Sequence, residues 1–457
     1  MGIVLQGATI VTSESVERSD LRIVGETIAE IGLDLVQPGD QLIPADGCYL
    51  FPGGVDPHTH FDLDVGGTVT ADDFFSGSRA ALAGGTTTVI DYATQSRGGS
   101  LVDALAVWRV KAAGKSFVDY GFHVALCECN EAVLEELSGL PETDGVVSVK
   151  LYMAYKNVLQ VDDGILLQVM RTCRERGILV CLHCENGDLI ETLTGEAIAA
   201  GRFGPDQHAA ARPEVVEVEA VFRALAIVEL TGCPVYVVHV SSARALSIIE
   251  AAQRRGLPVW AETCPQYLLL DESLYRLAGF ESAKYVMSPP LRTRYDQEGL
   301  WRGIGEGVVC SLGSDHCSFN FRGQKELGRE DFSRIPNGIP GVENRFGLLF
   351  SSGVAAGRIS LQKFVSLVST GPARRFGLYP GKGALQVGSD ADVVVWDPAG
   401  RSVISVRSQT QRVDYNAYEG FEQIGVPRQV FLRGRLAAEA GKICGGPHGK
   451  YQQGHVR

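Results

Sequence analysis

The sequence predicts an α/β protein in which a TIM-like (β/α)8 barrel carries a small β-sandwich domain built from both chain ends. Three observations support this fold class. The chain has 457 residues, which is more than one simple small domain needs. Its central part alternates short apolar runs with amphipathic stretches. Both ends show strand patterns without a helical period.

The alternation in the central part predicts the barrel. Amphipathic stretches at residues 72–83, 162–176, 214–230 and 242–255 predict helices, and most of them stop at a glycine. Eight nearly continuous apolar runs predict a parallel sheet covered by helices, and eight strands close a barrel. An open doubly wound sheet is the alternative, but no Gly-x-Gly-x-x-Gly follows the first run, which disfavours dinucleotide binding. The predicted strands are residues 54–60, 86–92, 118–126, 145–153, 178–183, 234–240, 258–268 and 308–315.

The two chain ends predict the smaller domain. Because chain ends often lie close together, we expect the terminal strands to join in one β domain. The predicted domain limits are residues 1–52 and 381–457 for this domain and 53–380 for the barrel, with residues 445–457 as a polar tail. The terminal strands are predicted at residues 3–10, 21–24, 27–31, 391–396, 403–406 and 429–432.

The composition excludes several classes of partner. The net charge is −12 and no basic run occurs, which argues against nucleic acid or an anionic membrane surface. No apolar segment is long enough to span a membrane, and no secretion signal is recognisable at the start. The 11 cysteines are scattered, which is typical of reduced thiols. We expect a cytoplasmic protein.

The segment FPGGVDPHTHFD contains the first candidate metal ligands, His58 and His60. Residues two apart in an extended strand point to the same face, so both imidazoles can bind one ion. Two solvated histidines on a loop are the alternative, and the pair alone does not decide between them.

Further candidate ligands stand at the matching ends of other predicted strands. His183 ends the fifth, His239 the sixth and Asp315 the eighth. Catalytic groups of a barrel lie at the C-terminal ends of its strands, so we expect these side chains to converge at one mouth. Taken singly, each has another explanation, since a histidine there can be a hydrogen-bonded core residue and Asp315 a helix N-cap. Chance does not readily explain why five such residues stand at the matching ends of four predicted strands.

Lys150 lies inside the fourth apolar run, where an unpaired ammonium is costly. One interpretation is that its charge reaches the rim of the barrel. The other is that burial and nearby cations depress its pKa, so that the neutral amine adds CO₂. The resulting carbamate anion would help neutralise two cations that four histidines and one aspartate leave under-neutralised.

Ten segments carry a resemblance to a known family: PGGVDPHTHF, GGTTTVIDY, VKLYMAYKN, HCENG, YVVHVS, ETCPQYLLLD, SPPLR, GSDHC, IPNGIPGVENR and GSDADVVVWDP. In these segments the chain resembles the cyclic amidohydrolases of the hydantoinase/dihydropyrimidinase family, within the amidohydrolase superfamily. The stretch DFSRIPNGIPGVENR is most similar to bacterial D-hydantoinases, including phenylhydantoinase-type members.

The resemblance implies two divalent metal ions, usually zinc. His58, His60 and Asp315 would bind one, and His183 and His239 the other. Lys150, carboxylated to N6-carboxylysine, would bridge both ions, as would a hydroxide. Tyr155 would polarise the substrate carbonyl, while Ser288 and Asn337 would hold the cyclic amide through backbone groups. The resemblance also implies a homotetramer.

The expected reaction is hydrolysis of the cyclic amide bond of 5-substituted hydantoins, giving N-carbamoyl amino acids. Asp315 would act as base and then acid, and Tyr155 would stabilise the oxyanion. A dihydropyrimidinase that opens dihydrouracil or dihydrothymine is the main alternative. An allantoinase and a non-catalytic scaffold relative without metals are less favoured, because the IPNG and SPPLR segments and all six candidate ligands are present.

The pocket for the ring substituent is predicted only in outline. Leu63, Val65 and Leu159 are apolar candidates on the loops after the first and fourth strands, although packing in the core or at the rim explains them equally well. Asp62 and Asp64 stand where many relatives place larger apolar side chains, so the pocket shape of a relative does not transfer directly.

Overall fold

The computed structural model describes residues 2–456 and contains two separate β-sheets. The strands in chain order are β1 (Ile3–Val11), β2 (Val16–Val24), β3 (Thr27–Gly32), β4 (Gln41–Pro44), β5 (Tyr49–Pro52), β6 (Gly54–Thr59), β7 (Thr86–Thr94), β8 (Asp119–Ala125), β9 (Ser148–Tyr152), β10 (Leu179–His183), β11 (Val235–Val237), β12 (Val259–Thr263), β13 (Val309–Leu312), β14 (Val393–Val403), β15 (Glu422–Leu432), β16 (Arg435–Glu439) and β17 (Lys442–Ile443).

Helices follow most of the central strands. They are α1 (Phe74–Ala83), α2 (Leu101–Ala112), α3 (Glu131–Asp144), α4 (Asp163–Arg176), α5 (Gly187–Ala199), α6 (Asp206–Ala210), α7 (Glu214–Thr231), α8 (Ala243–Arg254), α9 (Pro265–Leu269), α10 (Arg294–Glu306), α11 (Arg345–Leu349), α12 (Leu361–Val365) and α13 (Gly371–Arg375). Short 3-10 helices span Glu272–Arg276, Glu281–Tyr285, Lys325–Gly328 and Phe332–Arg334, and π-helical turns span Phe350–Ala355 and Ser366–Thr370. No described helix is long and apolar enough to cross a membrane.

The eight strands β6 to β13 form the barrel, paired in parallel and in chain order. Thr59 and His316 form the bridge that brings the last strand back to the first, and His60 N donates to His316 O at 2.9 Å. The predicted TIM-like barrel is confirmed. Its strands are almost wholly buried because helices cover the outside, which explains their continuous apolar sequence.

Helix limits follow the capping residues that the sequence offers. Asp73 accepts from Ser76 N at the start of α1, and Asp162 accepts from Ile165 N at the start of α4. Gly177 ends α4 in the left-handed conformation with φ 67°, which glycine adopts without the steric cost of a Cβ.

The nine-stranded sheet combines strands from the N-terminal and C-terminal parts of the chain, as predicted. β5 pairs with β14, which joins the N-terminal strands to the C-terminal ones. The pairing is mainly antiparallel, with β4 and β5 lying parallel to β1. A second apolar core, which includes Leu21, Ile23 and Val393, lies within this domain. The domain limits 1–52, 53–380 and 381–457 remain a prediction, and Met1 and Arg457 lie outside the described residues.

Two strand predictions are wrong. The seventh run, residues 258–268, is extended only to Thr263; α9 begins at Pro265, because proline is favoured in the first turn of a helix. Residues 403–406 do not form a strand of their own, because Val403 is the last residue of the long β14.

The predicted polar tail, residues 445–457, is docked against the barrel over its described part, which ends at residue 456. Tyr120 N donates to Lys450 O at 3.0 Å, and Gln452 N donates to Tyr120 O at 2.7 Å, so the tail lies beside the start of β8. The Tyr451 hydroxyl donates to Asp144 O at 2.8 Å, and Arg109 stacks over its ring. A short polar sequence can therefore be docked when its backbone groups find partners on a strand.

Candidate active site

The candidate ligands meet at the C-terminal mouth of the barrel. His58 lies within β6 and His183 ends β10, whereas His60, His239 and Asp315 lie just beyond their strands. Every one of them is buried. Strand ends thus bring residues from distant parts of the sequence to one place.

His58, His60 and Asp315 form one group with metal-binding geometry. Asp315 Oδ1 lies 3.2 Å from His58 Nε2 and 3.4 Å from His60 Nε2. One ligand atom from each of the three lies within 4.8 Å of the others. Two imidazole nitrogens and a carboxylate oxygen are a donor set that suits zinc and similar divalent ions.

His183 and His239 form the second candidate group. His183 Nδ1 lies 2.9 Å from His239 Nε2. The other ring nitrogen of His183, Nε2, lies 2.9 Å from Glu185 Oε2. Because a carboxylate can only accept, this contact assigns the proton to His183 Nε2 and leaves the Nδ1 lone pair facing His239.

The two groups adjoin, and Lys150 lies near both. The ring centroids of His58 and His239 are 5.5 Å apart. Lys150 Nζ lies 5.0 Å from the centre of the Tyr92 ring and forms no ion pair within the described residues. Burial lowers the pKa of Lys150 to about 8, so about one-tenth of this amine is neutral at pH 7, far more than at the usual lysine pKa. The lysine also lowers the pKa of His58, His183 and His239.

The protonation states of these residues fit a metal centre. Burial lowers the pKa of His58 and His239 well below the usual histidine value, so both imidazoles are neutral at pH 7. Burial alone would raise the pKa of Asp315, but His58 and His60 lower it, so this carboxyl is ionised. Neutral imidazole and ionised carboxylate are the forms that bind metal.

A buried histidine nitrogen without a hydrogen-bond partner also indicates a metal centre. His58 Nδ1 contacts Glu262 Oε1 at 2.6 Å, which places the proton on Nδ1. His58 Nε2 is buried and has no hydrogen-bond partner among the described residues. Buried polar atoms are normally satisfied, so a lone pair left free beside Asp315 fits a cation there.

Three predicted site residues have an unusual backbone conformation. Tyr155, His239 and Asp315 have φ values of 65°, 40° and 50°, in the left-handed region that side chains disfavour. Such strain costs on the order of 1–3 kcal/mol per residue and is concentrated at functional sites. The strands end before His239 and Asp315, and these turns direct both side chains into the mouth.

Tyr155 adjoins the second candidate group. Its ring centroid lies 5.3 Å from that of His183, and the Arg212 guanidinium lies 5.5 Å from its ring centre. Burial raises the pKa of Tyr155 to about 12, although Arg212 and the Ser288 side chain oppose this shift. The phenol therefore keeps its proton at neutral pH and remains a hydrogen-bond donor.

Ser288 and Asn337 present free backbone groups. The carbonyls of Tyr285, Val286, Met287 and Pro289 all accept hydrogen bonds, from Tyr275, Gly338, His208 and Tyr267 respectively. In the described part of the chain no donor reaches Ser288 O, and Asn337 N has no acceptor. One free acceptor and one free donor are the complement of an amide group.

The predicted substituent pocket receives less support. Leu63 is half-buried and packs against the large core, Val65 is 42% exposed, and Leu159 is half-buried. Val65 lies in a short hairpin, where its N donates to Thr68 O, and Leu159 N donates to Tyr155 O. Leu159 thus belongs to the turn that holds Tyr155, while a pocket role for all three stays a prediction.

Several residues around the site had no predicted role. Glu262 contacts the ring of His58 and also accepts from the Tyr236 hydroxyl at 2.7 Å. Glu185 accepts from Arg212 Nη1 at 2.7 Å as well as from His183. A glutamate within an apolar strand and one two residues after a ligand histidine were the available signals, since buried charges are rarely left without partners.

Comparison with known proteins identifies the family. The model of the Amidohydrolase family matches residues 49–437. The D-hydantoinase of Geobacillus stearothermophilus is 49% identical over 448 residues, which are 98% of this chain and 95% of that protein. The chain belongs to the amidohydrolase family, in its hydantoinase branch. The D-hydantoinase of Ralstonia pickettii is 43% identical over 447 residues, or 98% of this chain and 97% of that one.

Solved structures of the hydantoinase branch have the same fold. The crystal structure of dihydropyrimidinase from Brevibacillus agri matches with a TM-score of 0.99 and 45% identity, covering 100% of this chain and 99% of the other. Members of the amidohydrolase family generally bind a binuclear metal centre, and the His58–His60–Asp315 group is one candidate half of it.

Proposed function

We propose that the protein hydrolyses the cyclic amide bond of 5-substituted hydantoins, as a D-hydantoinase, and releases N-carbamoyl amino acids. The observation that carries this proposal is the free Ser288 O and Asn337 N pair beside a cluster of metal-binding side chains. A cyclic ureide offers an N–H to the first and a carbonyl to the second. The names of relatives at 43–49% identity support the same substrate class.

His58, His60 and Asp315 would hold one divalent ion, and His183 and His239 the other. Lys150 would bridge them after its neutral amine attacks CO₂, forming a C–N bond and releasing one proton to solvent. Zinc suits the imidazole and carboxylate donors. When bound, the two ions lower the pKa of a water molecule so that hydroxide is available at neutral pH.

Two side chains would carry the proton transfers and the charge. Asp315 accepts the proton of the attacking hydroxide and returns it to the departing ring nitrogen, acting as base and then acid. The Tyr155 hydroxyl donates to the carbonyl oxygen as negative charge develops on it. The raised pKa of this phenol keeps its proton available, and the low pKa of Asp315 keeps the base ionised.

Opening of dihydrouracil is the second candidate function. The 45% identity to a dihydropyrimidinase over the whole chain favours it, and both rings share the same amide and ureide groups. The test is to measure initial rates on D-5-phenylhydantoin, L-5-phenylhydantoin and dihydrouracil, with the carbamoyl products identified by mass spectrometry. We expect the D-phenylhydantoin rate to be highest. A strong preference for dihydrouracil would replace the first proposal with the second.

Simpler assays distinguish two other candidate functions from the two above. An allantoinase would open allantoin faster than either ring above. A non-catalytic scaffold would contain less than one equivalent of metal when freshly purified and would open none of these rings.

We further propose a cytoplasmic homotetramer, and sedimentation equilibrium would give about four times the 49.1 kDa chain mass.

A further inference from the structure

Lys325 is a fully buried lysine outside the candidate metal centre. It lies in the 3-10 helix Lys325–Gly328, and its side chain is 0% exposed. Its ammonium group donates to three backbone carbonyls: Val286 O at 2.8 Å, Pro336 O at 2.6 Å and Gly338 O at 2.7 Å. No carboxylate pairs with it among the described residues, so its partners are these three carbonyls and the Phe319 ring, whose centre lies 5.7 Å from Nζ.

The three acceptors come from the two segments with free backbone groups. Pro336 and Gly338 are the neighbours of Asn337, and Val286 comes two residues before Ser288. Gly338 N also donates to Val286 O at 3.0 Å, so the two segments are joined directly as well as through the lysine. An ammonium group has three N–H donors, and all three are used here.

The segments are tightly packed around this contact. A Cβ atom at Gly338, where φ is 139°, would lie 2.4 Å from Cys317 O, and one at Gly328 would lie 2.5 Å from Ile335 N. His208 Nε2 holds the neighbouring Met287 carbonyl at 2.9 Å. The backbone around Ser288 and Asn337 is therefore held by the side chains of Lys325 and His208, neither of which is a candidate metal ligand.

We propose that Lys325 is a positioning residue that sets the spacing between the Ser288 carbonyl and the Asn337 amide, and thereby the binding of the cyclic amide. This inference rests on the proposed function. Without the ammonium, Pro336 O and Gly338 O lose their donor, and Val286 O keeps only the Gly338 amide. The three carbonyls then repel one another, and the spacing between the two segments widens. Binding of the ring weakens, whereas the metal ligands and the proton-transfer groups stay in place.

The test is the Lys325→Met variant, which keeps the length of the side chain and removes its donors. We expect KM for D-5-phenylhydantoin to rise about tenfold or more, with kcat within about threefold, because a loss of ground-state and transition-state binding raises KM alone. Metal content per chain should equal that of the wild type. In Lys325→Ala, 50 mM ethylammonium, as an order-of-magnitude dose, should lower KM towards the wild-type value, whereas tetramethylammonium, which has no N–H, should not.

Lys382 provides the matched control. It is also a buried lysine with three oxygen partners, but these are the carboxylates of Asp119, Asp390 and Asp392. Asp119 begins β8, at the end of the barrel opposite the candidate site. Lys382→Met should lower the thermal midpoint and leave KM unchanged, which separates loss of stability from loss of substrate positioning.

The outcomes are decisive in each case. Four results would each overturn the positioning role. They are a wild-type KM in Lys325→Met, a parallel loss of kcat and metal, failure of both Lys325 variants to fold, and rescue by tetramethylammonium. If the wild-type protein opens no cyclic amide, the proposed function fails instead. An active wild type with an unchanged Lys325→Met leaves the proposed function intact and rejects only this inference.

Discussion

His58 Nδ1 lies 2.6 Å from Glu262 Oε1, although the two residues are 204 positions apart in the sequence. The same carboxylate accepts from His239 N at 3.2 Å, so one buried glutamate contacts a residue of each candidate metal group. Carboxylates of this kind fix the tautomer and orientation of a ligand histidine.

Replacing Glu262 should weaken metal binding. In Glu262→Gln the acceptor of His58 Nδ1–H becomes a neutral amide, and we expect metal affinity to fall about 10–100-fold. Competition with a chelator of known zinc affinity measures this change. Tyr236→Phe is the control, because it removes only the hydroxyl that donates to the other oxygen of Glu262. Unchanged affinity in Glu262→Gln would show that His58 needs no such partner.

Asp315→Asn should nearly abolish turnover while His183 and His239 keep their ion. The amide cannot accept the proton of the attacking hydroxide, and general acid–base catalysis contributes about 10²–10⁴-fold. Steady-state rates and metal analysis of the same preparation give both results. Near-normal kcat in this variant would mean that another group moves the proton.

Tyr155→Phe should lower kcat by about 10²–10³-fold and change KM much less, as expected for loss of one donor to a developing oxyanion. The phenyl ring preserves the contacts with His183 and Arg212. Tyr49→Phe, in the nine-stranded sheet, is a control for loss of a hydroxyl elsewhere. If KM rises and kcat stays constant, Tyr155 binds substrate without stabilising the oxyanion.

Lys382 should make a pH-dependent contribution to stability. Burial alone would lower its pKa, but Asp392, Asp119 and Asp390 together raise it above the usual lysine value. A lysine with a raised folded pKa stabilises fully below its unfolded pKa of about 10.4 and loses this contribution as the pH rises towards the folded value.

Thermal midpoints of the wild type and Lys382→Met should therefore differ most at pH 8 and converge above about pH 10.4. At pH 8 we expect a decrease of about 5 °C or more, because the variant removes the cation shared by the buried carboxylates of Asp119 and Asp392 and the half-buried one of Asp390, and only Asp119 keeps another cation, Arg433. The exposed Lys442→Met should change little at any pH. A difference that grows between pH 8 and 11 would have the wrong sign for this pairing.

The sequence was informative wherever a local pattern decides the structure. Continuous apolar runs predicted the barrel strands, and the places of His58, Lys150 and His183 within these runs predicted where their side chains lie. Residues 258–268 were misassigned because one apolar run continues from β12 into α9, and periodicity alone does not separate a short buried helix from a strand.

Contacts between distant segments could not be predicted in this way. The carboxylate of Glu262, the three carbonyls around Lys325 and the docked tail around Tyr451 depend on how the chain closes, and no local pattern encodes them. The same holds for the left-handed backbone of His239 and Asp315, which propensity disfavours and tertiary packing enforces.

The most direct measurement is a crystal structure of freshly purified protein with anomalous data at the zinc edge. The two-ion account predicts one anomalous peak among His58, His60 and Asp315, a second beside His183 and His239, and carboxylate density extending from Lys150 Nζ between them. A single ion with an unmodified Lys150 amine would contradict the two-ion account.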